Sequence, residues 1–337
     1  MNGDPLKPAA IGADADRVAD APTDNWVYSL LPRSVWPYAQ LARWDRPIGW
    51  WLLLWPCWWS LTMALLVALR DPTLAAQATD LVLGFAVLYG LFWLGSVAMR
   101  GAGCTYNDMV DETIDAQVER TASRPIPSGR VSQRQARIFM LAQVLAGAMV
   151  LLALCSFVGA GFNQFAFVLA VSSLVIVACY PFAKRVTDWP QLVLGLAFSW
   201  GALMGWAVIF RQVEAPSLFL YAGSITWVIG YDTIYAHQDR EDDALVGVRS
   251  TARLFGERSQ LAIFLLYAFA LAMFALAYMQ ADLGLVAYAG LVLGGAQMLS
   301  QIVRLDINNG DKCLALFKSN NQFGLIILAF LLLDFVV

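Results

Sequence analysis

Charged residues are scarce in this chain of 337 residues: they make up 14% of it, whereas hydrophobic residues make up 59%. The mean hydropathy is +0.61. Soluble globular domains contain about 25% charged residues. The shortage of charge therefore excludes an ordinary soluble protein and favours a membrane protein with several spans.

Histidine and cysteine are also rare. The only histidine is His237, and the five cysteines show no spacing typical of a metal site. A His-rich or Cys-rich centre is therefore excluded, and we interpret most of the cysteines as small buried residues. A Gly-x-x-x-x-Gly-Lys phosphate-binding loop is absent too, so a nucleoside triphosphate is not indicated. The net charge of −3 says little about partners, and nucleic acid is not an expected one.

Long apolar stretches are abundant, and those of about 18 residues or more can span a lipid bilayer. We predict nine spans, at residues 48–69, 81–99, 138–158, 164–182, 191–210, 217–236, 260–279, 283–303 and 321–337. Only Arg70 and Arg211 among the basic residues fall in loops after odd-numbered spans. Because positive residues stay on the cytoplasmic side, we expect a cytoplasmic N-terminus and a C-terminus on the opposite side.

The beginning of the chain differs from the rest. Residues 1–24 are rich in Ala, Asp and Pro and contain no apolar run. This composition predicts a disordered cytoplasmic tail instead of a signal peptide. A short amphipathic segment at residues 36–44 is expected to lie on the membrane surface. We therefore divide the chain into a tail, residues 1–35, and a nine-helix membrane domain, residues 36–337.

Two acidic clusters, residues 107–115 and 232–243, follow apolar stretches and lie at the predicted cytoplasmic face. Charge beside hydrocarbon is costly and is usually functional. A shift of 124 positions places Asp108 on Asp232 and Asp115 on Asp239. This alignment predicts a parallel internal repeat whose two halves share one orientation.

The oxygen-bearing side chains of each cluster recur at helical spacing, so a continued helix would place them on one face. The candidate metal ligands are Asn107, Asp108, Asp111, Asp115, Asp232, Asp239 and Asp243. Two facing rows of carboxylates would repel each other, and a hard divalent cation relieves that repulsion. Carboxylate and amide oxygens without a Cys or His cluster favour Mg²⁺ over zinc. Tyr235 stands in the second cluster where Asp111 stands in the first.

Basic residues accompany both clusters. They are Arg43, Arg46, Arg120, Arg124, Lys184 and Arg249. Arginine together with carboxylate-held Mg²⁺ is typical of a site that binds a diphosphate.

At these positions the chain resembles the UbiA superfamily of intramembrane aromatic prenyltransferases. The similar motifs are Asn-Asp-x-x-Asp-x-x-x-Asp at 107–115, Arg-Thr-x-x-Arg-Pro at 120–125 and Asp-x-x-Tyr-x-x-x-Asp-x-x-x-Asp at 232–243. Residues 45–49 and 231–239 are similar to the bacterial subgroup that prenylates 4-hydroxybenzoate. The resemblance covers residues 36–337, and Arg249 departs from it because the pattern usually has lysine there.

The resemblance implies an all-α integral membrane protein of nine transmembrane helices around a central cavity with a cytoplasmic cap. It implies a bacterial inner membrane with a periplasmic C-terminus. The expected substrates are a polyprenyl diphosphate and 4-hydroxybenzoate, which is prenylated at the ring carbon ortho to its hydroxyl in ubiquinone biosynthesis. The residues expected to act on the diphosphate, with Mg²⁺ as cofactor, are Asp111, Asp239, Arg120, Arg124, Lys184 and Tyr235. Arg43 or Arg46 is expected to pair with the benzoate carboxylate, and Arg249 with a phosphate.

Two other functions remain open from the sequence. A sister prenyltransferase would use homogentisate, another quinone precursor or haem as the acceptor. A cation transporter would use the acidic clusters as ion sites, although such sites usually lie near the bilayer midplane and these clusters lie at one face.

Overall fold

The computed structural model describes residues 16–19, 21–22, 24–70, 78–159, 161–240 and 247–336. Helices, turns and loops make up these ranges, and no strand occurs within them. The prediction of an all-α protein is confirmed. The chain divides into two compact units: unit 1 is Met1–Pro47 with Gly101–Leu141, and unit 2 is Ile48–Arg100 with Ala142–Val337.

The helices differ widely in length. In chain order they are α1 (Trp26–Leu30), α2 (Trp36–Leu41), α3 (Ile48–Ala68), α4 (Ala78–Val110), α5 (Glu112–Asp115), α6 (Glu119–Ala122), α7 (Gln133–Phe157), α8 (Gln164–Val186), α9 (Pro190–Phe198), α10 (Gly201–Phe210), α11 (Ala215–Ala236), α12 (Thr251–Phe255), α13 (Ser259–Gln280), α14 (Leu285–Arg304) and α15 (Gly310–Asp334). Single 3₁₀ turns occur at Arg33–Val35 and Gly256–Arg258.

Eight segments of the described chain are long and apolar enough to cross a membrane. They are α3, the Gly84–Val110 part of α4, α7, α8, α9 with α10, α12 with α13, α14 and α15. A multi-pass membrane protein is therefore confirmed, with eight candidate spans where the sequence predicts nine.

The remaining predicted span, residues 217–236, corresponds to α11. This helix has 22 residues, but it is not among the eight because Ser, Thr, Tyr and Gly residues and Asp232 lower its hydropathy. Trp227, Tyr231 and most other side chains of α11 are buried in the core of unit 2. A helix that packs against protein on most sides does not need the apolar surface of a helix that faces lipid.

Aromatic side chains fill the core of unit 2 where α3, α11, α13 and α15 meet. The ring centre of Trp59 lies 5.1 Å from the ring centre of Trp227 and 5.8 Å from that of Phe323. The indole of Trp59 donates to the Gly324 carbonyl at 3.0 Å, and the indole of Trp227 donates to Asn320 Oδ1 at 3.0 Å. The two buried indole N–H groups thus have hydrogen-bond partners, which removes the cost of burying them.

Glycine allows α10 to approach α3 closely. A Cβ atom on Gly205 would lie 2.6 Å from the Cys57 carbonyl oxygen and 2.6 Å from the Leu61 nitrogen. Both atoms belong to the backbone of α3, so neither can move aside as the end of a side chain could. The contact between these two helices therefore requires glycine at position 205.

We expect Gly205→Ala to lower the free energy of unfolding by about 1–3 kcal/mol, because the added methyl overpacks the contact with α3. Gly90→Ala is the matched control, since Gly90 lies in α4 and a Cβ there would meet nothing within 4 Å. Thermal unfolding of both variants in detergent tests this. Equal midpoints for the two variants would contradict the assigned packing.

Unit 1 contains the short helices α1, α2, α5 and α6. Its larger apolar cluster consists of Leu41, Ile126, Val131 and Ala136, with Tyr38, Met109 and Phe139 packed against it. A second cluster joins α1 to α2 through Val27, Trp36 and Ala39. The predicted disorder of residues 1–35 therefore does not extend to α1, because burial of Val27 holds that helix in place. Residues 1–15 lie outside the described chain.

Candidate functional site

The first acidic cluster lies where α4 ends. The chain bends at Asp111, whose φ of −97° and ψ of 6° interrupt the helix between α4 and α5. The amide of Asp111 nevertheless donates to the Asn107 carbonyl at 2.9 Å, and the amide of Asp115 donates to the Asp111 carbonyl at 2.8 Å. The prediction of one uninterrupted helix is wrong at Asp111, although hydrogen bonds of helical spacing persist across the bend.

Two arginines converge on Asp108, which is completely buried. Nη2 of Arg43 lies 2.6 Å from Asp108 Oδ1, and Nη1 of Arg124 lies 3.4 Å from the same oxygen. Arg124 Nη1 also lies 2.9 Å from Asp115 Oδ2. The structure thus brings together four predicted site residues that are up to 81 positions apart in the chain.

The carboxylates of this cluster are deeply buried. Asp111 is as deeply buried as Asp108, and Asp115 is nearly so. Burial raises the pKa of Asp115, Arg124 acts in the opposite direction, and Asp108 and Asp111 raise that pKa further by repulsion. The second oxygen of Asp108 is buried without a hydrogen-bond partner. An additional positive charge would therefore stabilise the ionised cluster.

Arg43 and Arg46, the candidates for the benzoate carboxylate, both have carboxylate partners within unit 1. Arg43 pairs with Asp108, and its Nη1 donates to the Gln40 carbonyl at 2.7 Å. Arg46 Nε lies 3.2 Å from Oδ1 of the buried Asp45. Arg43 also has a φ of 56°, a conformation that costs energy for a side chain other than glycine. Arg43 thus combines a strained backbone conformation with an ion pair to Asp108.

Arg120 lies half-buried in α6. The hydroxyl of Thr121, the next residue, donates to the Asp115 carbonyl at 2.9 Å. This bond fixes α6 beside the first acidic cluster.

The second acidic cluster belongs to unit 2 and begins inside α11. Asp232 and Tyr235 are in the helix, but α11 ends at Ala236 and Asp239 lies in the turn that follows. The predicted helical stripe therefore stops at Tyr235, whose ring packs 4.8 Å from Phe317. Asp232 and Asp239 are close enough for their charges to repel. Asp243 lies outside the described residues.

Arg100, in the part of α4 that belongs to unit 2, is a site residue that the sequence reasoning missed. Its charge interacts with Asp232 and Tyr231. Its guanidinium lies 5.1 Å from the ring centre of Phe198, and a Cβ on Gly49 would approach its Nε to 2.7 Å. That Nε and the Tyr231 hydroxyl are both buried without a hydrogen-bond partner. The signal in the sequence was an arginine that continues an apolar helix, where charge is rarely accidental.

Lys184 and Arg249 are joined through the backbone in unit 2. The amide of Arg249 donates to the Lys184 carbonyl at 3.0 Å, and Arg249 Nη1 donates to the Val186 carbonyl at 3.4 Å. Nearby, the amide of Thr251 donates to Oε1 of the buried Gln191 at 3.0 Å. These bonds attach the segment after the second acidic cluster to the end of α8 and the start of α9.

His237 follows the last residue of α11. Its Nε2 lies 2.9 Å from the Ser259 hydroxyl. Burial, reinforced by the positive charge of Arg240, lowers the pKa of His237 to about 4. His237 is therefore neutral at physiological pH and makes a local hydrogen bond with Ser259.

Within the described ranges, no group of three His, Cys, Asp or Glu side chains is close enough to hold a metal ion by itself. The donors of the first cluster nonetheless fit Mg²⁺ in kind: they are hard carboxylate oxygens, and one oxygen of Asp108 is buried without a partner. Mg²⁺ usually keeps several waters and shares its remaining positions between one or two carboxylates and a substrate phosphate. An incomplete set of protein ligands is thus compatible with this ion.

The motifs and the helical architecture agree with a comparison against known families. The model of the UbiA prenyltransferase family matches residues 53–325. The chain therefore belongs to the UbiA prenyltransferase family and is a prenyl-transferring enzyme.

Relatives of the chain belong to one class of prenyltransferase. The chain is 44% identical over 315 residues to the mitochondrial 4-hydroxybenzoate polyprenyltransferase of Drosophila pseudoobscura pseudoobscura, covering 92% of this chain and 74% of that protein. It is 40% identical over 329 residues to the Arabidopsis thaliana enzyme of the same name, covering 97% and 75%.

Solved structures give the same fold. A UbiA homologue from Aeropyrum pernix K1 in its apo form superposes with a TM-score of 0.64 at 25% identity, covering 84% of this chain and 97% of that one. A UbiA homologue from Archaeoglobus fulgidus bound to GPP and Mg²⁺ superposes with a TM-score of 0.58 at 15% identity, covering 89% and 100%.

The comparisons correct the predicted location. The relatives from Drosophila, Arabidopsis and Rattus norvegicus are mitochondrial enzymes. The prediction of a bacterial inner membrane with a periplasmic C-terminus is wrong by this finding. Charge asymmetry distinguishes the two faces of a membrane, but it does not identify the membrane.

Proposed function

We propose that the enzyme transfers a polyprenyl group from a polyprenyl diphosphate to the ring carbon ortho to the hydroxyl of 4-hydroxybenzoate. The observation that carries this proposal is the 40–45% identity, over most of the chain, to enzymes named 4-hydroxybenzoate polyprenyltransferase. The same name connects the reaction to ubiquinone biosynthesis, as the sequence motifs implied.

For the finer architecture we propose nine spans, with α11 crossing the membrane beside the eight apolar helices. Its 22 residues are enough for a crossing. We propose further that residues 36–337 form the catalytic domain, with a cavity capped on the face that carries most of the Lys and Arg residues.

We propose that each acidic cluster binds Mg²⁺ through its own oxygen ligands. The ligands would come from Asn107, Asp108, Asp111 and Asp115 in the first cluster and from Asp232, Asp239 and Asp243 in the second. When bound, Mg²⁺ would neutralise charge on the departing diphosphate. The second oxygen of Asp108, which is buried without a hydrogen-bond partner, supports this assignment.

The basic residues then divide into two roles. Arg43 and Arg124 hold the carboxylates of the first cluster, as their ion pairs with Asp108 support. We propose that Arg120, Lys184 and Arg249 contact the diphosphate directly.

Tyr235 stands at the position of a carboxylate in the aligned first cluster. We propose that its hydroxyl donates a hydrogen bond to the diphosphate instead of binding metal. A phenol at this position adds a donor without adding negative charge.

The proposed reaction breaks the bond between the first prenyl carbon and the diphosphate oxygen, and the electron pair leaves with the diphosphate. The ring carbon ortho to the phenol forms the new carbon–carbon bond and then loses its proton. The apolar helices of the chain keep water from the allylic cation, which water would convert to an alcohol.

We propose that Arg100 receives the carboxylate of 4-hydroxybenzoate. Arg43 and Arg46 already pair with carboxylates of the chain, whereas Nε of Arg100 is buried without a hydrogen-bond partner. The Tyr231 hydroxyl is also buried without a hydrogen-bond partner, and it interacts with the charge of Arg100. We propose it as a second donor to the carboxylate of 4-hydroxybenzoate.

The direct test incubates membranes containing the enzyme with Mg²⁺, a set of polyprenyl diphosphates and either 4-hydroxybenzoate or homogentisate. We expect prenylated 4-hydroxybenzoate, identified by mass, only when the diphosphate and Mg²⁺ are both present. Prenylated homogentisate without the benzoate product would contradict the proposed acceptor. Metal flux without either product would favour a transporter.

A further inference from the structure

Arg130, in unit 1, donates four hydrogen bonds from the three nitrogens of its guanidinium group. Nη1 donates to the Asp16 carbonyl at 2.5 Å and to Gln40 Oε1 at 2.9 Å. Nη2 donates to the Ser123 carbonyl at 2.5 Å, and Nε donates to the Ser128 hydroxyl at 3.1 Å. Its partners come from three separate parts of the chain.

The contact with Gln40 leads to the first arginine of the acidic cluster. Gln40 is completely buried, and its backbone carbonyl accepts the hydrogen bond from Arg43 Nη1 at 2.7 Å. Arg43 in turn holds Asp108. Arg130 therefore fixes the residue on which the Arg43 side chain rests.

The contact with Ser123 leads to the second arginine. Ser123 directly precedes Arg124, whose Nη1 pairs with both Asp108 and Asp115. By holding the Ser123 carbonyl, Arg130 limits the movement of the backbone that carries Arg124. The two cations that meet at Asp108 thus share one support.

The N-terminal segment Asp16–Ala19, which we call the strap, packs against Arg130 and Ser123. Val18 is only 3% exposed, and the Arg17 guanidinium lies 5.2 Å from the Tyr28 ring centre. The amide of Ala19 donates to the Ser123 hydroxyl at 2.9 Å. Gln40 Nε2 donates to the Asp16 carbonyl at 2.8 Å, so the side chains of Gln40 and Arg130 both donate hydrogen bonds to this carbonyl of the strap.

We infer that Arg130 is a positioning residue, which with the strap holds Arg43 and Arg124 in place so that Asp108 and Asp115 are set for Mg²⁺. The inference rests on the proposed function of the acidic cluster. Arginine suits this role because its planar fork presents donors in several directions at once, whereas a lysine ammonium is a point charge on a flexible stem. Partners that orient metal ligands typically change metal affinity by about 10- to 100-fold when they are removed.

The test measures binding of Mn²⁺, as a paramagnetic probe for Mg²⁺, to the purified full-length chain in detergent. We expect Arg130→Met to raise the dissociation constant about 10-fold and Arg130→Lys to raise it less. Arg134→Met is the matched control, because Arg134 is exposed four positions further along. Its dissociation constant should equal that of the unmodified chain.

Trypsin gives a second readout that does not depend on metal or turnover. Because the strap loses a partner, Arg130→Met should speed cleavage after Arg17, whereas Arg134→Met should not. Unchanged cleavage and unchanged Mn²⁺ affinity in Arg130→Met would overturn the inference, even if the unmodified enzyme prenylates 4-hydroxybenzoate. Faster cleavage with weaker Mn²⁺ binding would support the inference even if the true acceptor were another phenol. Failure of the proposed acceptor is therefore distinguishable from failure of the positioning role.

A residue needed only for folding would have a different effect. It would lower the amount of folded enzyme and the turnover number, while the Mg²⁺ concentration for half-maximal rate stayed constant. We expect that concentration to rise in Arg130→Met and the KM for 4-hydroxybenzoate to stay within about twofold. A rise confined to the 4-hydroxybenzoate KM would contradict the positioning role.

Discussion

Asp111→Asn is expected to lower the rate of Mg²⁺-dependent prenyl transfer by about 100-fold or more, because it removes the charge of a proposed metal ligand from a preorganised site. Asparagine keeps the size of the side chain and one oxygen, so the bend between α4 and α5 should survive. The backbone bonds of Asp111 to Asn107 and Asp115 do not involve the side chain. Product formation in membranes with equal amounts of enzyme is the measurement.

Glu119→Gln is the control for this substitution. Glu119 is an exposed acid in the first turn of α6, close in sequence but not a proposed ligand. It loses the same formal charge, so a general electrostatic effect on an anionic donor would appear in both variants. Near-normal turnover in Asp111→Asn, or equal losses in the two variants, would reject Asp111 as a metal ligand.

Much of the fold followed from the sequence because apolar length is a strong constraint in a membrane. The eight apolar segments correspond to predicted spans, and the all-α architecture is confirmed. The helix α11 is different: burial inside unit 2 relaxes the demand for apolar residues, so α11 is less apolar than the eight other segments. Hydropathy detects contact with lipid, and α11 mostly contacts protein.

Motif spacing selected residues of the first cluster that lie together in the structure, but it did not predict their pairings. Motif spacing identified Asp108, Asp115 and Arg124, and the structure brings these three together. The ion pair between Arg43 and Asp108 joins positions 65 apart, and no local pattern specifies it. Sequence reasoning assigned Arg43 and Arg124 to substrate anions, whereas in unit 1 both already pair with carboxylates.

The same difference appears at the ends of the helices. Periodicity extended both acidic clusters along continuous helices, but α4 ends before Asp111 and α11 ends before Asp239. Periodicity reports which residues share a face only while the helix lasts. Two of the proposed ligands, Asp111 and Asp239, thus lie outside the long helices, where periodicity no longer predicts the direction of a side chain.

Arg100 is the proposed partner of the carboxylate of 4-hydroxybenzoate, because its buried Nε has no hydrogen-bond partner. We expect Arg100→Gln to raise the KM for 4-hydroxybenzoate about 10- to 100-fold, since a hydrogen bond to a charged group contributes about 1.5–3 kcal/mol. The KM for the polyprenyl diphosphate should change little. The KM of Arg100→Lys for 4-hydroxybenzoate should lie between those of the unmodified enzyme and Arg100→Gln, because lysine keeps the charge but lacks the planar guanidinium group.

Discrimination between acceptors gives the most specific measurement, because it compares ligands on one enzyme. The unmodified enzyme should prefer 4-hydroxybenzoate strongly over a phenol that lacks the carboxylate, and Arg100→Gln should lose most of that preference. Arg304→Gln, an exposed arginine at the end of α14, should keep it. An Arg100→Gln enzyme that keeps its preference while its KM for the diphosphate rises would assign Arg100 to the donor. In that event its charge interaction with Asp232 would belong to diphosphate binding.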